Sequence, residues 1–467
     1  MACVANVDSG EAGVAEATVV VGGGPAGALT ATALLRHTTR DVVVIDPGSR
    51  LGSGAAYATR EDGLVLNSRA EAMSAESDDP GHFVAWCRRR GLGVGPHDFP
   101  PRHTYGDYLE ATVEAAAGQN QGRLHHVRAL ATHVVPLDHG SGWAVTLGDG
   151  SQLSAGEVVL ALGQAPPVYP VGAVAMVRAN PNFVADPWRP RALDAIPATA
   201  HVLVLGTGLT AIDVIVSLSE RGHTGKIMAL SRHGLLPMSH LPTRTASTAS
   251  ARPDVGRTEG LRQLLREVRT ATRATDWRDV VDELRPRANE IWSRLSVADQ
   301  DRFLRHVLRY WEIHRHRVAP GAAEAVQRLR AQGTLTVHKG HIASLVTSGH
   351  GFSVRVTESN SRTTQWTPDV VVNCTGPGHP AGVPLVRALV AAGVARADPL
   401  HLGVDVDPVG RLVRPNGQPT SGLFVVGALR RGRWWETTAI PEIRSQAILL
   451  ARAITAVPRT WATPAHR

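Results

Sequence analysis

Cysteine is scarce. Cys3, Cys87 and Cys374 are the only three in 467 residues, far apart and without a CxxC spacing. That argues against a zinc site or the dithiol of a disulfide reductase, and for a reducing, cytoplasmic setting. Charge is absent from residues 17–35, a length that could be mistaken for a membrane span. The Gly-Pro turn in its middle argues otherwise, so no membrane association is expected. The first fourteen residues hold acids but no Lys or Arg, unlike a signal peptide, and read as a frayed tail. Aromatic residues make up 4% of the chain and are not interleaved with its basic ones. Nucleic acid is therefore not the expected partner, and the net charge of +8 points to small anionic ligands instead. His306, His314 and His316 lack acid or cysteine companions at ligand spacing, so no metal is expected. What remains is the composition of a globular chain of two or three domains, 43% hydrophobic and 19% charged.

One stretch organises the rest. Thr18-Val19-Val20-Val21 predicts a buried strand, Gly22-Gly23-Gly24-Pro25-Ala26-Gly27 a tight turn, and Ala28 to Leu35 a helix. In this arrangement the helix N-terminus offers free N–H groups and partial positive charge to a diphosphate. Gly22 permits the turn, Gly24 lets backbone approach the phosphates, and Gly27 lets helix and strand pack closely. A second strand, Asp41 to Ile45, ends at Asp46, 19 residues after Gly27. An acid there accepts hydrogen bonds from ribose hydroxyls.

Further on, Asn67 is expected to end a short strand. Asp78-Asp79-Pro80 opens a helix in which Phe83 and Trp86 form a core stripe. Arg102 and Tyr105 precede a helix expected to begin near Asp107. Arg102 is either a capping or solvated arginine or a contact to a bound ligand. His133 to Val135 and Trp143 to Leu147 read as strands, with a hairpin turn at Gly148-Asp149-Gly150. Val158 to Leu162 is a buried strand ending in Gly163, where backbone can lie against a cofactor.

Pro166, Pro167 and Pro170 make a linker into a second copy of the opening device. A strand, His201 to Leu205, feeds Gly206-Thr207-Gly208-Leu209-Thr210-Ala211 and a helix through Leu218. Alanine is allowed at the third glycine position. The partner strand, Lys226 to Leu230, ends in Ser231-Arg232 rather than an acid. Arg232 suits a 2′-phosphate, favouring NADPH over NADH, unless it is merely solvated. Residues 251–320 are Arg-rich with helical spacing and no βαβ alternation, so a helical insert is expected. Its Arg305, Arg309, Arg315 and Arg317 could line a pocket for an anion.

Strands at Ala343 to Val346 and Phe352 to Val356 lead to Val370-Val371-Val372-Asn373-Cys374-Thr375-Gly376. Each half thus carries a glycine-ended crossing strand, one exit and one return for an inserted domain. Asp405 to Leu412 reads as a hairpin. Thr420 to Val426 is a strand ending in Gly427-Ala428, and a last helix is expected from Thr437 or Thr438, with Ala447, Ile448 and Ala451 on one face. Trp434 and Trp435 before it are either core filling or a wall beside a bound ring.

Two glycine fingerprints, two crossing strands and a terminal strand-glycine-helix resemble the two-dinucleotide-domain flavoproteins. The stretches GAAYATREDGLVLNSRAEAMSAESDDPGHFVAW, GTGLTAIDV, SRHGLLP, RFLRHVLRYWEIHRHRVAP and GRWWETTAIPEIRSQA resemble one branch of FAD/NAD(P)-binding proteins. That branch is similar to the flavin-dependent N-hydroxylating monooxygenases, and includes enzymes that oxidise the amino group of aspartate to a nitro group. The likeness implies an α/β fold with two Rossmann-like domains, of the glutathione-reductase and flavin-monooxygenase kind, plus the insert. It implies an FAD domain at 1–165 and 375–467, an NAD(P) domain at 166–250 and 321–374, and the insert at 251–320.

The resemblance places FAD on Gly22, Gly24, Pro25, Ala26, Gly27, Asp46, Gly163 and Gly427. Asn67, Arg102, Tyr105, Trp435, Thr437 and Thr438 would surround the ring. NADPH would lie on Gly206, Gly208, Thr210, Ala211, Ser231 and Arg232. Two departures stand out: Asp46 replaces the usual glutamate, and Ala428 replaces the aspartate that grips the ribityl chain, implying weaker or exchangeable FAD. The activity implied is NADPH- and O₂-dependent oxygenation of a small nitrogen or sulfur nucleophile, such as an amino acid or another carboxylate-bearing amine. A dehydrogenase or electron-transfer reductase shares every cofactor residue, and a non-catalytic flavin-binding module is the third reading. A homodimer is compatible with the sequence.

Overall fold

The computed structural model describes residues 17–137, 142–169, 175–242, 256, 260–358 and 361–456. The expected frayed tail and Pro170 of the linker lie outside the described residues, as does most of 243–259.

Three sheets carry the architecture. The first has six strands in the order Arg411–Val413, Pro419–Val425, Glu157–Leu160, Thr18–Val21, Val42–Ile45 and Leu124–Val127. All neighbours are parallel except Arg411–Val413, which runs against Pro419–Val425. The opening strand is central, with Val20 opposite Val44 on one side and Val159 on the other. Parallel strands with both faces covered need uninterrupted apolar runs, which is why TVVV and VVVI are buried at every position.

The helix Pro25–His37 covers one face of this sheet. Its residues Ala26 to Leu35 are all buried, against the helices Arg102–Gln119 and Ile440–Ala456 among others. The uncharged run of the sequence is therefore a buried strand, a glycine turn and a largely buried helix, and no helix among the described residues is long and apolar enough to cross a membrane. An antiparallel three-stranded sheet, Ala131–Pro136, Trp143–Leu147 and Gln152–Ala155, packs on the opposite face.

The second large sheet has seven strands: Thr363–Trp366, Gly351–Glu358, Leu335–Ser348, Ile227–Ser231, Val202–Leu205, Val370–Asn373 and Phe183–Val184. Leu335–Ser348 is a single 14-residue strand, not the short one expected at Ala343 to Val346. Its first five residues pair in parallel with Ile227–Ser231 and its remainder pairs antiparallel with Gly351–Glu358. The three-strand addition that stands apart in the first half is thus continuous with the main sheet in the second.

The insert is helical, with helices Leu261–Ala274, Trp277–Leu284, Ala288–Arg294, Val297–His306 and Leu308–Arg315 among its described residues. Asp276 and Ser296 cap two of them, accepting the Arg278 and Asp299 N–H groups. Pro320–Ala331 belongs elsewhere: it packs on Leu209–Glu220, behind the second glycine turn.

Three expected boundaries shift. Asn67 ends no strand; that segment makes one isolated bridge, Val65 to Pro101. The helix expected from Asp107 begins at Arg102, because Pro101 stands at its N-cap with extended backbone and the chain turns helical at once. The last helix begins at Ile440, with Pro441 in its first turn, so Thr437 and Thr438 precede it.

Candidate functional site

The two glycine corners have the same construction. Gly22 and Gly206 both adopt positive φ, +104° and +117°. A Cβ on Gly22 would overlap the Ala161 carbonyl oxygen, and one on Gly206 the Cys374 carbonyl oxygen. Each turn is pressed against its own crossing strand, so neither position accepts a side chain. Gly24 and Gly208 are the N-caps of the following helices, with ψ of −169° and −167°. The first intrahelical bonds are Ala28 N–H to Gly24 O and Ile212 N–H to Gly208 O. The earlier N–H groups, including those of Ala26, Gly27, Thr210 and Ala211, face out of the helix start.

The cradles fit a dinucleotide. Nothing lies within 4 Å of a Cβ built on Gly208, and only the Gly54 Cα, at 3.6 Å, approaches one built on Gly24. Gly163 and Gly376, at the ends of the crossing strands, also open on free space. Gly27 instead packs onto Gly22, where a Cβ would overlap the carbonyl oxygen. Its counterpart Ala211 is fully buried.

Asp46 stands beside the first corner. Its Oδ2 accepts the Gly23 N–H at 2.7 Å and its Oδ1 the Gly48 N–H at 2.8 Å. The carboxylate thus braces the glycine loop while keeping lone pairs for a ribose. Gly427, with φ +85°, faces Ala26 across the corner, and its N–H donates to Gln446 Oε1 at 2.9 Å. Ala428 opens a short 3₁₀ turn to Arg430, whose buried guanidinium leaves Nε and one terminal nitrogen without partners. Burial pushes that guanidinium down to about 10.

At the second corner Thr207 donates to the Leu235 carbonyl at 2.6 Å and stands 2.8 Å from Ser231 Oγ, which accepts the Gly234 N–H. Ser231 is therefore part of the turn. Arg232 is exposed. Burial, then the charges of Arg232, Arg309 and Lys339, push the His233 imidazole below its ordinary value. The strand end is a cationic spot, as a 2′-phosphate requires.

The residues expected around the ring are distributed differently from one another. Arg102 neither caps a helix nor faces solvent. Its Nε donates to the Val65 carbonyl at 3.0 Å, its NH2 to Asp213 Oδ1 at 3.0 Å, and its guanidinium lies over Trp188. Asp213 sits on the second glycine helix, so this pair joins that helix to the start of Arg102–Gln119. Burial raises the Asp213 carboxyl above its usual range, against the pull of Arg102. Asn67 offers its carbonyl to His240 Nε2 at 3.0 Å, another link between the halves. Tyr105 is wholly buried among Tyr57, Phe83 and Tyr108, its hydroxyl without a partner. Trp435 is core filling: it packs on Trp292 at 4.6 Å and Phe303 at 5.1 Å. Thr437 is 1% exposed and its Oγ1 has no partner, whereas Thr438 is exposed. Tyr105 and Thr437 thus both keep an unspent hydroxyl, and Thr437 is tied to the first corner through Gln446, which donates to the Thr437 carbonyl and accepts the Gly427 N–H.

Sequence reasoning missed the residues that fasten the insert to this region. Arg315 makes a bidentate pair with the buried Glu436, at 3.0 and 2.9 Å. Asn289 brackets the Glu436 backbone, Trp292 Nε1 donates to the Gly432 carbonyl, and Arg285 reaches Glu442. These partners lie more than a hundred residues apart, so no spacing signal could have found them. Arg315 therefore serves the insert seam rather than an open pocket. Arg317 likewise pairs with Asp282. Arg431 is the less compensated cation: its Glu312 contact is long, at 3.9 Å, and it lies over the Trp435 ring.

Neither described cysteine is a thiolate candidate, since burial pushes the Cys87 thiol up to about 11 and Cys374 higher still. Among the described residues no three His, Cys, Asp or Glu side chains converge as a metal site.

Comparison with known proteins agrees with this geometry. Residues 19–165 match the FAD-NAD(P)-binding family model. No curated protein matches the chain by sequence. Among solved structures, the ornithine N-hydroxylase of Kutzneria sp. 744 superposes with a TM-score of 0.67 at 16% identity, over 94% of this chain and 99% of that one. L-lysine 6-monooxygenase from Pseudomonas syringae gives 0.66 at 18% identity over the same shares. The FAD-bound cadaverine monooxygenase of the desferrioxamine pathway from Erwinia amylovora gives 0.67 at 14% identity, over 96% and 98%. Residues 19–165 thus match an FAD-NAD(P)-binding module, and 94–96% of the chain shares the two-dinucleotide-domain fold of these N-hydroxylating flavin monooxygenases.

Proposed function

We propose that the protein is an FAD- and NADPH-dependent monooxygenase that oxygenates the nitrogen of a small carboxylate-bearing amine, an amino acid or a close relative. The observation that carries this reading is the pair of matched, unobstructed glycine cradles in a chain of which 94–96% follows the fold of ornithine, lysine and cadaverine hydroxylases. Bound FAD would supply the redox chemistry, accepting hydride from NADPH and delivering oxygen from O₂.

The chain's own residues bind, orient and exclude water. The N–H groups at Gly24 to Gly27 and Gly208 to Ala211 would hold the two diphosphates, Asp46 the adenosine ribose, and Arg232 the 2′-phosphate. Thr437 would donate its unpartnered hydroxyl at the flavin end. The insert, fastened through Arg315–Glu436, would keep solvent from the reacting atoms. Arg431, short of a full counter-charge, suits a substrate carboxylate. No protein nucleophile is needed. In this reading residues 1–165 and 375–467 form the FAD domain, and 166–250 with 321–374 the NADPH domain.

The test is anaerobic reduction of the FAD-loaded protein by NADPH and by NADH, followed by oxygen and a panel of amino acids and diamines. The reading expects faster reduction by NADPH and an N-oxygenated product in step with NADPH consumed. Hydrogen peroxide as the sole product for every amine would make the protein an oxidase or reductase instead.

A further inference from the structure

The strands Ile227–Ser231 and Leu335–Ser348 run parallel until Ser231 stands opposite Lys339. From Gly340 onwards the second strand pairs antiparallel with Gly351–Glu358 instead. Lys339 therefore marks the carboxyl end of the parallel pairing, the edge at which open parallel sheets take their ligands. Arg232 leaves the neighbouring strand at the same edge. The turn it begins packs on the lysine, and a Cβ built on Gly234 would lie 3.2 Å from the Lys339 Cβ.

The insert reaches this turn as well. The Met238 N–H donates to the Ile313 carbonyl at 2.9 Å, and the Val318 N–H to the Met238 carbonyl at 3.0 Å. These bonds stitch the segment after Ser231 to the helix Leu308–Arg315 and its exit. Arg309 is one helical turn before Ile313, on the same face. Next to burial, what holds the His233 imidazole below its ordinary value is the charge of Arg232, Arg309 and Lys339, so the three cations surround one side chain.

Their counter-charge is thin. Arg232 and Lys339 are exposed, and neither has a carboxylate within pairing distance among the described residues. Arg309 has Glu312 at 2.6 Å, but Glu312 also faces Arg431 at 3.9 Å, so one carboxylate serves two arginines. Like charges gathered in this way repel, and a bound dianion removes the repulsion.

We infer that Lys339 and Arg309 join Arg232 in holding the adenosine 2′-phosphate of NADPH, so that a strand, a turn and the insert each supply one cation. The inference rests on the NADPH reading above. Lys339 is fixed on the sheet and meets the phosphate from the strand side. Arg309 meets it from the insert, which makes the insert part of the nucleotide's specificity as well as a cover for the reacting atoms.

The test is isothermal titration of the FAD-loaded protein with adenosine 2′,5′-bisphosphate and, separately, with 5′-AMP, which differs by the 2′-phosphate alone. The ratio of the two affinities isolates that phosphate. The parent is expected to prefer the bisphosphate. Lys339→Gln should lower the ratio by about tenfold and Arg309→Gln by about threefold, with 5′-AMP binding nearly unchanged in both. Lys226→Gln removes a charge just before the opposite end of Ile227–Ser231 and should leave the ratio as it is. A parent without preference overturns the inference together with the NADPH reading. A parent that prefers the bisphosphate, with a ratio unchanged in Lys339→Gln or in Arg309→Gln, or lowered as much by Lys226→Gln, overturns the inference alone.

Discussion

Arg102 and Asp213 face each other across the boundary between the two nucleotide-binding halves, the guanidinium 3.0 Å from the carboxylate, with little of either side chain exposed. Removing the arginine leaves a buried carboxylate without its counter-charge, a change that typically costs ~3–5 kcal/mol. Arg102→Met should lower stability by about that much at pH 7. The sign with pH follows from Asp213, whose carboxyl burial raises and Arg102 pulls down. In the variant it rises further. The penalty exists only while the carboxylate is ionised, so the gap between variant and parent narrows as pH falls. Urea melts at pH 7 and pH 5 measure it, and a gap that widens on acidification would contradict the pairing.

Gly24→Ala and Gly208→Ala separate binding from folding. Neither new methyl meets protein closer than 3.6 Å, so both variants should unfold within about 1 kcal/mol of the parent. The methyl occupies diphosphate space instead. Gly24→Ala should purify without flavin colour, and Gly208→Ala should keep its flavin colour but lose NADPH-dependent reduction. Gly27→Ala is the contrasting case, because its methyl overlaps Gly22 and the protein should fail to accumulate in soluble form.

Arg232→Ala should raise the KM for NADPH by about 10- to 100-fold, the worth of a charge-assisted hydrogen bond, and leave NADH nearly unchanged. Steady-state reduction with both nucleotides reads the ratio. An equal effect on both would place the 2′-phosphate elsewhere.

Buried histidines should make the fold acid-sensitive. Burial holds His316 down at about 3 and His240 at about 4, against 6.5 for the free side chain. Groups depressed in the folded state contribute stability above the unfolded value and lose it as pH falls towards the folded one. Between pH 6.5 and 5 each should forfeit about 2 kcal/mol. His316→Asn should flatten its share of that decline, as measured by denaturant midpoints across the range.

How much of this was legible beforehand depends on what each residue answers to. Local rules account for the glycine corners: Gly22, Gly24, Gly27 and Asp46 follow from one strand-turn-helix pattern, and Gly206 to Arg232 from its repeat. The same rules misjudged the start of the helix at Arg102, because helical capping signals fail where Pro101 does the capping. The ring-side group was the least legible. Whether Tyr105 lies in a core or a cleft, and whether Arg102 meets a ligand or Asp213, depends on which segments fold over it. Those segments are distant in the chain, as Arg315 is from Glu436.

The strand Pro419–Val425 sits inside the first sheet, beside Glu157–Leu160, and the helix Ile440–Ala456 roofs the helix that begins at Pro25. A ribosome making this chain therefore produces the FAD corner first and completes it last, hundreds of residues later. Until then the apolar flank of Pro25–His37 stays uncovered, and shortening the chain by a few dozen residues at its far end should disable the nucleotide turn near its beginning.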